Sequence, residues 1–80
     1  MNKLRQDISI GKNLRILRKK NKLTQEQVAA KLQVRGCDIT RSVYSKYEIG
    51  YLNISVSTLI ALKEIFNCDY ADFFENLENK

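Results

Sequence analysis

Residues 23–50 read LTQEQVAAKLQVRGCDITRSVYSKYEIG, and the rest of the chain can be worked out from them. The stretch opens with a helix-start signature: the Thr24 hydroxyl can cap, and Gln27, three residues on, can reach back to the cap's own N–H. Leu23 before the cap and Val28 after it stand at the spacing of a hydrophobic staple. Val28, Ala29 and Leu32 recur at helical spacing, which predicts a short helix with one apolar side over about residues 24–33. A connection containing Gly36 follows over residues 34–39, where Asp38 or Thr40 can cap what comes next. A second short helix is predicted over residues 41–48, closed by Gly50 as a left-handed stop. Tyr44 and Tyr47 share one of its faces, while Ser42, Ser45 and Lys46 share the opposite one.

Two short helices, the second aromatic on its inner side and small, polar and basic on its outer side, make a helix-turn-helix unit over residues 24–48. The flanking segments read as its scaffold. A first helix is predicted over about residues 8–21, capped by Asp7 or Ser9, with Ile10, Leu14 and Leu17 as its buried stripe. Lys12, Arg15, Lys19 and Lys20 lie mostly off that stripe, but Arg18 lies close to its Leu14 edge and is expected to be partly buried. After a loop over residues 51–54, Ser55 can cap a fourth helix over about residues 56–67. Leu59, Leu62 and Phe66 form its main stripe, and Ile60 and Ile65 make it apolar nearly all round, so it is expected to be the central buried helix. Asp69, with Asp72 three residues on, starts a fifth helix whose Tyr70, Phe73, Phe74 and Leu77 fall at i, i+3, i+4 and i+7. With no proline and no two-residue alternation, the expected fold class is all-α, five helices in one domain over residues 1–80, with residues 1–7 as a flexible arm.

Composition narrows the chemistry. Apolar residues make up 44% and charged residues 29% of the 80 positions, ordinary for a folded domain and against disorder. No apolar run approaches the roughly 20 residues a membrane span needs, and the N-terminal residues lack a signal-peptide pattern, so the expected location is the cytoplasm, with no membrane partner. The chain has no histidine, and its two cysteines, Cys37 and Cys68, have neither metal nor redox spacing. A Cys/His zinc site is thereby excluded and the most common general base is absent. With no Gly-rich phosphate loop and no carboxylate dyad, the chain does not read as an enzyme, and no cofactor, metal or small-molecule ligand is expected. The charge layout says more. Residues 1–46 hold twelve Lys and Arg against three carboxylates, a surplus of +9, whereas residues 47–80 hold two against six, a balance of −4. One end of a small domain is thus strongly positive, which points to a polyanion, nucleic acid ahead of a membrane surface.

Three runs together resemble one family: IGKNLRILRKKNKLTQEQVAAKL, RSVYSKYEIG and STLIALKEIFNCDYADFF. The chain is similar over about residues 8–75 to the lambda-repressor-like DNA-binding domains, the Cro/cI or XRE type of helix-turn-helix. The resemblance implies a sequence-specific, double-stranded-DNA-binding transcriptional regulator, a repressor of bacterial, phage or plasmid type, working as a homodimer on DNA. An antitoxin, a restriction–modification controller, or a protein-binding module that has lost DNA contact are the alternatives on the same fold. One departure stands out. The connection at residues 34–39 is longer than the family's usual link by about five residues, and the glycine usual right after the second helix is replaced by Gln33.

Roles follow from the matched positions. Gln25 opens the second helix where the family touches a phosphate or helps a neighbouring side chain read a base. Arg41, Ser42, Ser45 and Lys46 match the solvent side of the family's recognition helix, and Val43, flanking that side, is a candidate for contact with a thymine methyl. Arg18 and Glu48 match a buried ion pair tying the first helix to the third. Lys12, Arg15, Tyr51 and Asn53 are candidates for phosphate contacts. The aromatic stripe of the fifth helix closes the core or forms a two-fold contact.

Overall fold

Hydroxyl caps set where three of the helices begin. In the computed structural model, which describes residues 10–51 and 53–75, the chain forms α1 (Gly11–Lys20), α2 (Gln25–Val34), α3 (Arg41–Glu48), α4 (Val56–Phe66) and α5 (Tyr70–Phe73). Thr24 accepts from the Gln27 N–H at 3.0 Å while the Gln27 side chain accepts from the Thr24 N–H at 2.9 Å, the reciprocal box the spacing predicts. Thr40, rather than Asp38, caps α3 by accepting from the Val43 N–H. Ser55 caps α4 through the Thr58 N–H, and Asp72 reaches back to the Asp69 N–H at the start of α5. α1 differs. It starts at Gly11, three residues later than the sequence suggests, with Ile10 at its cap position and no side-chain cap bond. Asp7 and Ser9, and the arm at residues 1–7, lie outside the described residues.

The helix ends share one device. α1 to α4 each finish with a residue of positive φ: Lys22 at 59°, Gly36 at 87°, Gly50 at 82° and Asn67 at 52°. In each, two N–H groups fold back onto carbonyls of the last turn, as when Gly50 donates to the Tyr47 oxygen and Tyr51 to the Lys46 oxygen. α2 ends the same way, with Gly36 donating to Gln33 and Cys37 to Leu32. Gly36 therefore supplies the glycine stop that Gln33 was expected to lack, because α2 runs one residue further than its apolar pattern indicates. The long connection that follows is tied down: the Gln33 amide donates to the Ile39 oxygen at 3.0 Å, and Cys37 and Ile39 pack against the core. Arg35 reaches Glu64 of α4 at 3.4 Å, an exposed pair that contributes little on its own.

The core gathers Leu14 and Leu17 of α1, Val28, Ala29 and Leu32 of α2, Tyr44 and Tyr47 of α3, Ala61, Leu62 and Phe66 of α4, and Phe73 of α5. Asn13 of α1 and Asn21, the residue that follows its last turn, dock the C-terminal elements. Asn13 donates to the Phe73 and Glu75 oxygens, and Asn21 to the Phe66 oxygen. Two expectations change. α4 is buried along one face only, since Val56 is 74% and Ile60 42% exposed, with no described residue covering its outer side. α5 is a single turn, so its aromatic residues do not build one face: Phe73 is buried, Tyr70 and Phe74 are about half exposed, and Leu77 lies outside the described residues. Among the described residues no helix is long and apolar enough to cross a membrane.

Gly11 and Gly36 separate two reasons for a glycine. A Cβ on Gly36 would meet open space, leaving only its φ of +87° against a side chain, so Gly36→Ala should cost about 1 kcal/mol. A Cβ on Gly11 would stand 2.6 Å from the Tyr47 carbonyl oxygen and closer still to that of Glu48. Backbone cannot swing aside, so Gly11→Ala should cost about 3 kcal/mol or more. Thermal melts of both variants check the ranking; equal costs would contradict the close approach of α1 to α3.

Candidate nucleic-acid interface

α3 presents two unlike sides because its sequence alternates at helical spacing. Val43, Tyr44, Tyr47 and Glu48 fall on the inner arc, and Arg41, Ser42, Ser45 and Lys46 span the remaining arc of about 140°. Tyr44 is fully buried and meets Tyr47 edge to face, ring centroids 6.2 Å apart. Arg41, Ser42 and Lys46 are exposed and Ser45 is half-buried. Val43 turns out to be half-buried and packed against the core, not on the outer side. It follows Tyr47 round the helix, and the core claims that flank. The Ser45 hydroxyl donates to the Ser42 carbonyl oxygen at 2.9 Å, which leaves its lone pairs free to accept. The outer arc thus offers cationic donors at both ends with two short hydroxyls between them.

Behind this arc sits the Arg18–Glu48 pair. Arg18 Nε donates to Glu48 Oε2 at 2.6 Å and Nη2 to Oε1 at 3.2 Å, a bidentate bridge with side chains only 12% and 4% exposed. Arg18 Nη1 also donates to the Leu23 oxygen at 3.0 Å, so one guanidinium joins α1, the entry to α2 and the end of α3. Burial pushes the Glu48 carboxyl up, but the hydrogen bonds from its neighbours, Arg18 foremost, outweigh it, and the group titrates below its ordinary range. The hydrogen bonds that Arg18 donates to Glu48 in turn raise Arg18. The Tyr44 hydroxyl, buried beside the pair, makes no hydrogen bond of acceptable geometry, and its burial raises the phenol. Gln25, placed at the first turn of α2, donates its amide to Glu48 Oε1 at 3.0 Å and accepts from Arg41 Nη1 at 3.5 Å.

Lys12 and Arg15 are exposed on the outer arc of α1, whose N-terminus abuts the C-terminal carbonyls of α3. Tyr51, 74% exposed, and Asn53 follow the Gly50 stop. Among the described residues the ion pairs are Arg18–Glu48 and Arg35–Glu64, so Lys12, Arg15, Lys46 and Arg41 carry charge that no carboxylate of these residues neutralises. The same residues include no group of three or more His, Cys, Asp or Glu able to hold a metal. Asn13, Asn21 and Gly11 hold the scaffold in place yet carry no sequence signal beyond their polar or small side chains on an apolar helix face. The model of the family described as "Helix-turn-helix" matches residues 14–73, which is 60 of the 80 positions. No curated protein and no solved structure matches the chain.

Breaking a buried bridge leaves its partner charged and unpaired. Glu48→Ala should therefore cost about 3–5 kcal/mol, lowering the melting temperature by roughly 12 °C or more in a chain of this size. The acid response has a definite sign. A carboxyl depressed by folding contributes stability that is complete above about pH 5 and is lost as pH falls through its lowered value. Melting curves of the wild type and Glu48→Gln from pH 7 downward should converge as acid protonates Glu48; parallel curves would remove the carboxylate from the account.

Proposed function

We propose, from the premise that the chain belongs to the helix-turn-helix family whose model it matches, that it is a sequence-specific, double-stranded-DNA-binding transcriptional regulator, a repressor, reading the major groove with α3. The observation that carries this reading is the outer arc of α3: Arg41, Ser42, Ser45 and Lys46 face outward while two tyrosines and an ion pair brace the helix from within. An α-helix fits the major groove, and small residues along its outer side let it sit deep. Arg41 or Lys46 donates to guanine O6 and N7, each good contact contributing about 1–3 kcal/mol of discrimination. Ser42 and Ser45 accept or donate between them. The half-buried Val43 touches a thymine methyl only with its outer edge.

Affinity comes first from phosphates, since each one neutralised releases counterions. Lys12, Arg15, Tyr51 and Asn53 lie exposed where they can fix the register of α3 along the duplex. The charge of Lys12, Arg15, Arg41 and Lys46, unbalanced by carboxylates of the described residues, supports a polyanionic partner over a protein one. Binding as a homodimer puts two recognition helices about 34 Å apart on one face of the duplex. The half-exposed Tyr70 and Phe74 of the C-terminal turn support that two-fold contact. A cytoplasmic location follows from this role.

Selection of bound sequences from a random duplex pool gives the target and, from its symmetry, the oligomeric state. On that target Arg41→Ala should relax preference at one base position and its symmetry mate. Lys12→Ala should weaken all duplexes alike and reduce the salt slope by about one. Equal loss of preference from both variants, or no duplex binding at low ionic strength, would overturn the proposal.

A further inference from the structure

We infer that Lys22 contacts a DNA phosphate, and that the chain holds it in a strained backbone conformation at the corner between α1 and α2 for the sake of its ammonium. This rests on the reading of α3 given above and adds to it a cation which that reading leaves out.

Four helices end on a residue of positive φ, and three of those places carry a residue suited to it: Gly36, Gly50 and Asn67. Lys22, at φ 59°, is the exception. Asparagine can hydrogen-bond locally in the left-handed region, whereas lysine enters it with a Cβ and no such compensation. Ordinary residues held there gather at sites where a function offsets the strain. The corner is closed on both sides. The Lys22 N–H donates to the Lys19 oxygen at 3.0 Å and the Leu23 N–H to the Arg18 oxygen at 3.1 Å, while Arg18 Nη1 donates to the Leu23 oxygen. Relaxing Lys22 would therefore disturb the joint that Arg18 makes with α3.

The side chain has no task within the fold. Lys22 is exposed and makes neither an ion pair nor a side-chain hydrogen bond among the described residues; Glu26, the acid closest to it in sequence, does not hold it. An ammonium just past α1 suits the negative end of that helix, but Arg18, Lys19 and Lys20 already fill its last turn. Three residues on, Gln25 meets Arg41 at 3.5 Å, so the start of α2 borders the outer arc of α3. Lys22 thus stands at the rim of the face that enters the groove, where a sugar–phosphate strand passes. Asn67 supplies the contrast. It makes the same stop between Glu64 and the pair Asp69 and Asp72, at an end of the chain a duplex would avoid, and there the tolerant residue is used.

Lys22→Gly and Lys22→Asn test this on the selected duplex and on unrelated duplex over a range of salt, with Lys22→Arg as the variant that keeps the charge. Relief of the backbone should raise the melting temperature of Lys22→Gly by about 4 °C. Both uncharged variants should nevertheless bind every duplex more weakly, by about 3- to 10-fold at about 0.1 M salt, with the salt slope reduced by about one and base preferences unchanged. Lys22→Arg should keep the slope. A more stable Lys22→Gly with affinity and slope unchanged overturns the inference. So does a lower melting temperature in Lys22→Gly, which would make the ammonium a partner of the helix end instead. No duplex binding by the wild type overturns the reading of α3 and this inference together, whereas wild-type binding with an unaltered slope in both uncharged variants removes Lys22 alone.

Discussion

A single bidentate bridge sets the attitude of α3. Hydrophobic burial brings helices together but is non-directional, so the leucines and tyrosines of this core fix distances more firmly than angles. The Arg18–Glu48 bridge is directional, with a planar guanidinium matched to a planar carboxylate at 2.6 and 3.2 Å. Its third contact, to the Leu23 oxygen, brings α2 into the same joint. Burial alone would push the Glu48 carboxyl up, yet the net direction is down, so the hydrogen bonds dominate at this site. In a chain of 80 residues, whose core supplies only a few kcal/mol of net stability, one such joint decides whether the outer arc of α3 has a fixed direction at all.

Short helices make termini expensive. α3 has eight residues, so its last four carbonyls are half of those it owns, and each needs a partner. Folding N–H groups back at Lys22, Gly36, Gly50 and Asn67 satisfies two carbonyls at each helix end, those of Tyr47 and Lys46 in α3, without lengthening any helix. The two glycines take that conformation freely. Lys22 and Asn67 hold it with a Cβ, asparagine being the more tolerant of the two. Strain is thus accepted at the edge of the helix pair so that the turns stay tight and the packing of α2 on α3 is preserved.

Much of this was legible in the order of residues, and the exceptions have physical causes. The Thr24–Gln27 box, the Thr40 and Ser55 caps and the Gly50 stop are local, a few residues each, and the sequence states them outright. α2 runs one residue past its apolar pattern because Val34, 84% exposed, gives no periodic signal. The left-handed stops at Lys22 and Asn67 carry no glycine to announce them. Ile60 is expected inside because its helix is apolar nearly all round, but whether it is covered depends on elements elsewhere in the chain. At the candidate interface the outward residues of α3 and the flanking place of Val43 were readable from helical spacing. What spacing does not state is the contact between Gln25 and Glu48, which joins positions 23 residues apart in sequence and depends on which way an amide is turned.

The meeting of α1 with α3 at Gly11 carries a last consequence. No side chain separates the start of one helix from the carbonyls of the other, so the joint has no filler that could be trimmed or enlarged to change its angle. A hinge built on side chains can be retuned a methylene at a time; a contact of bare backbone is either made or lost. Under the proposed function, variants of this chain that reach new target sequences would do so by exchanging the outward residues at positions 41, 42, 45 and 46. Re-aiming the helix would not be open to them.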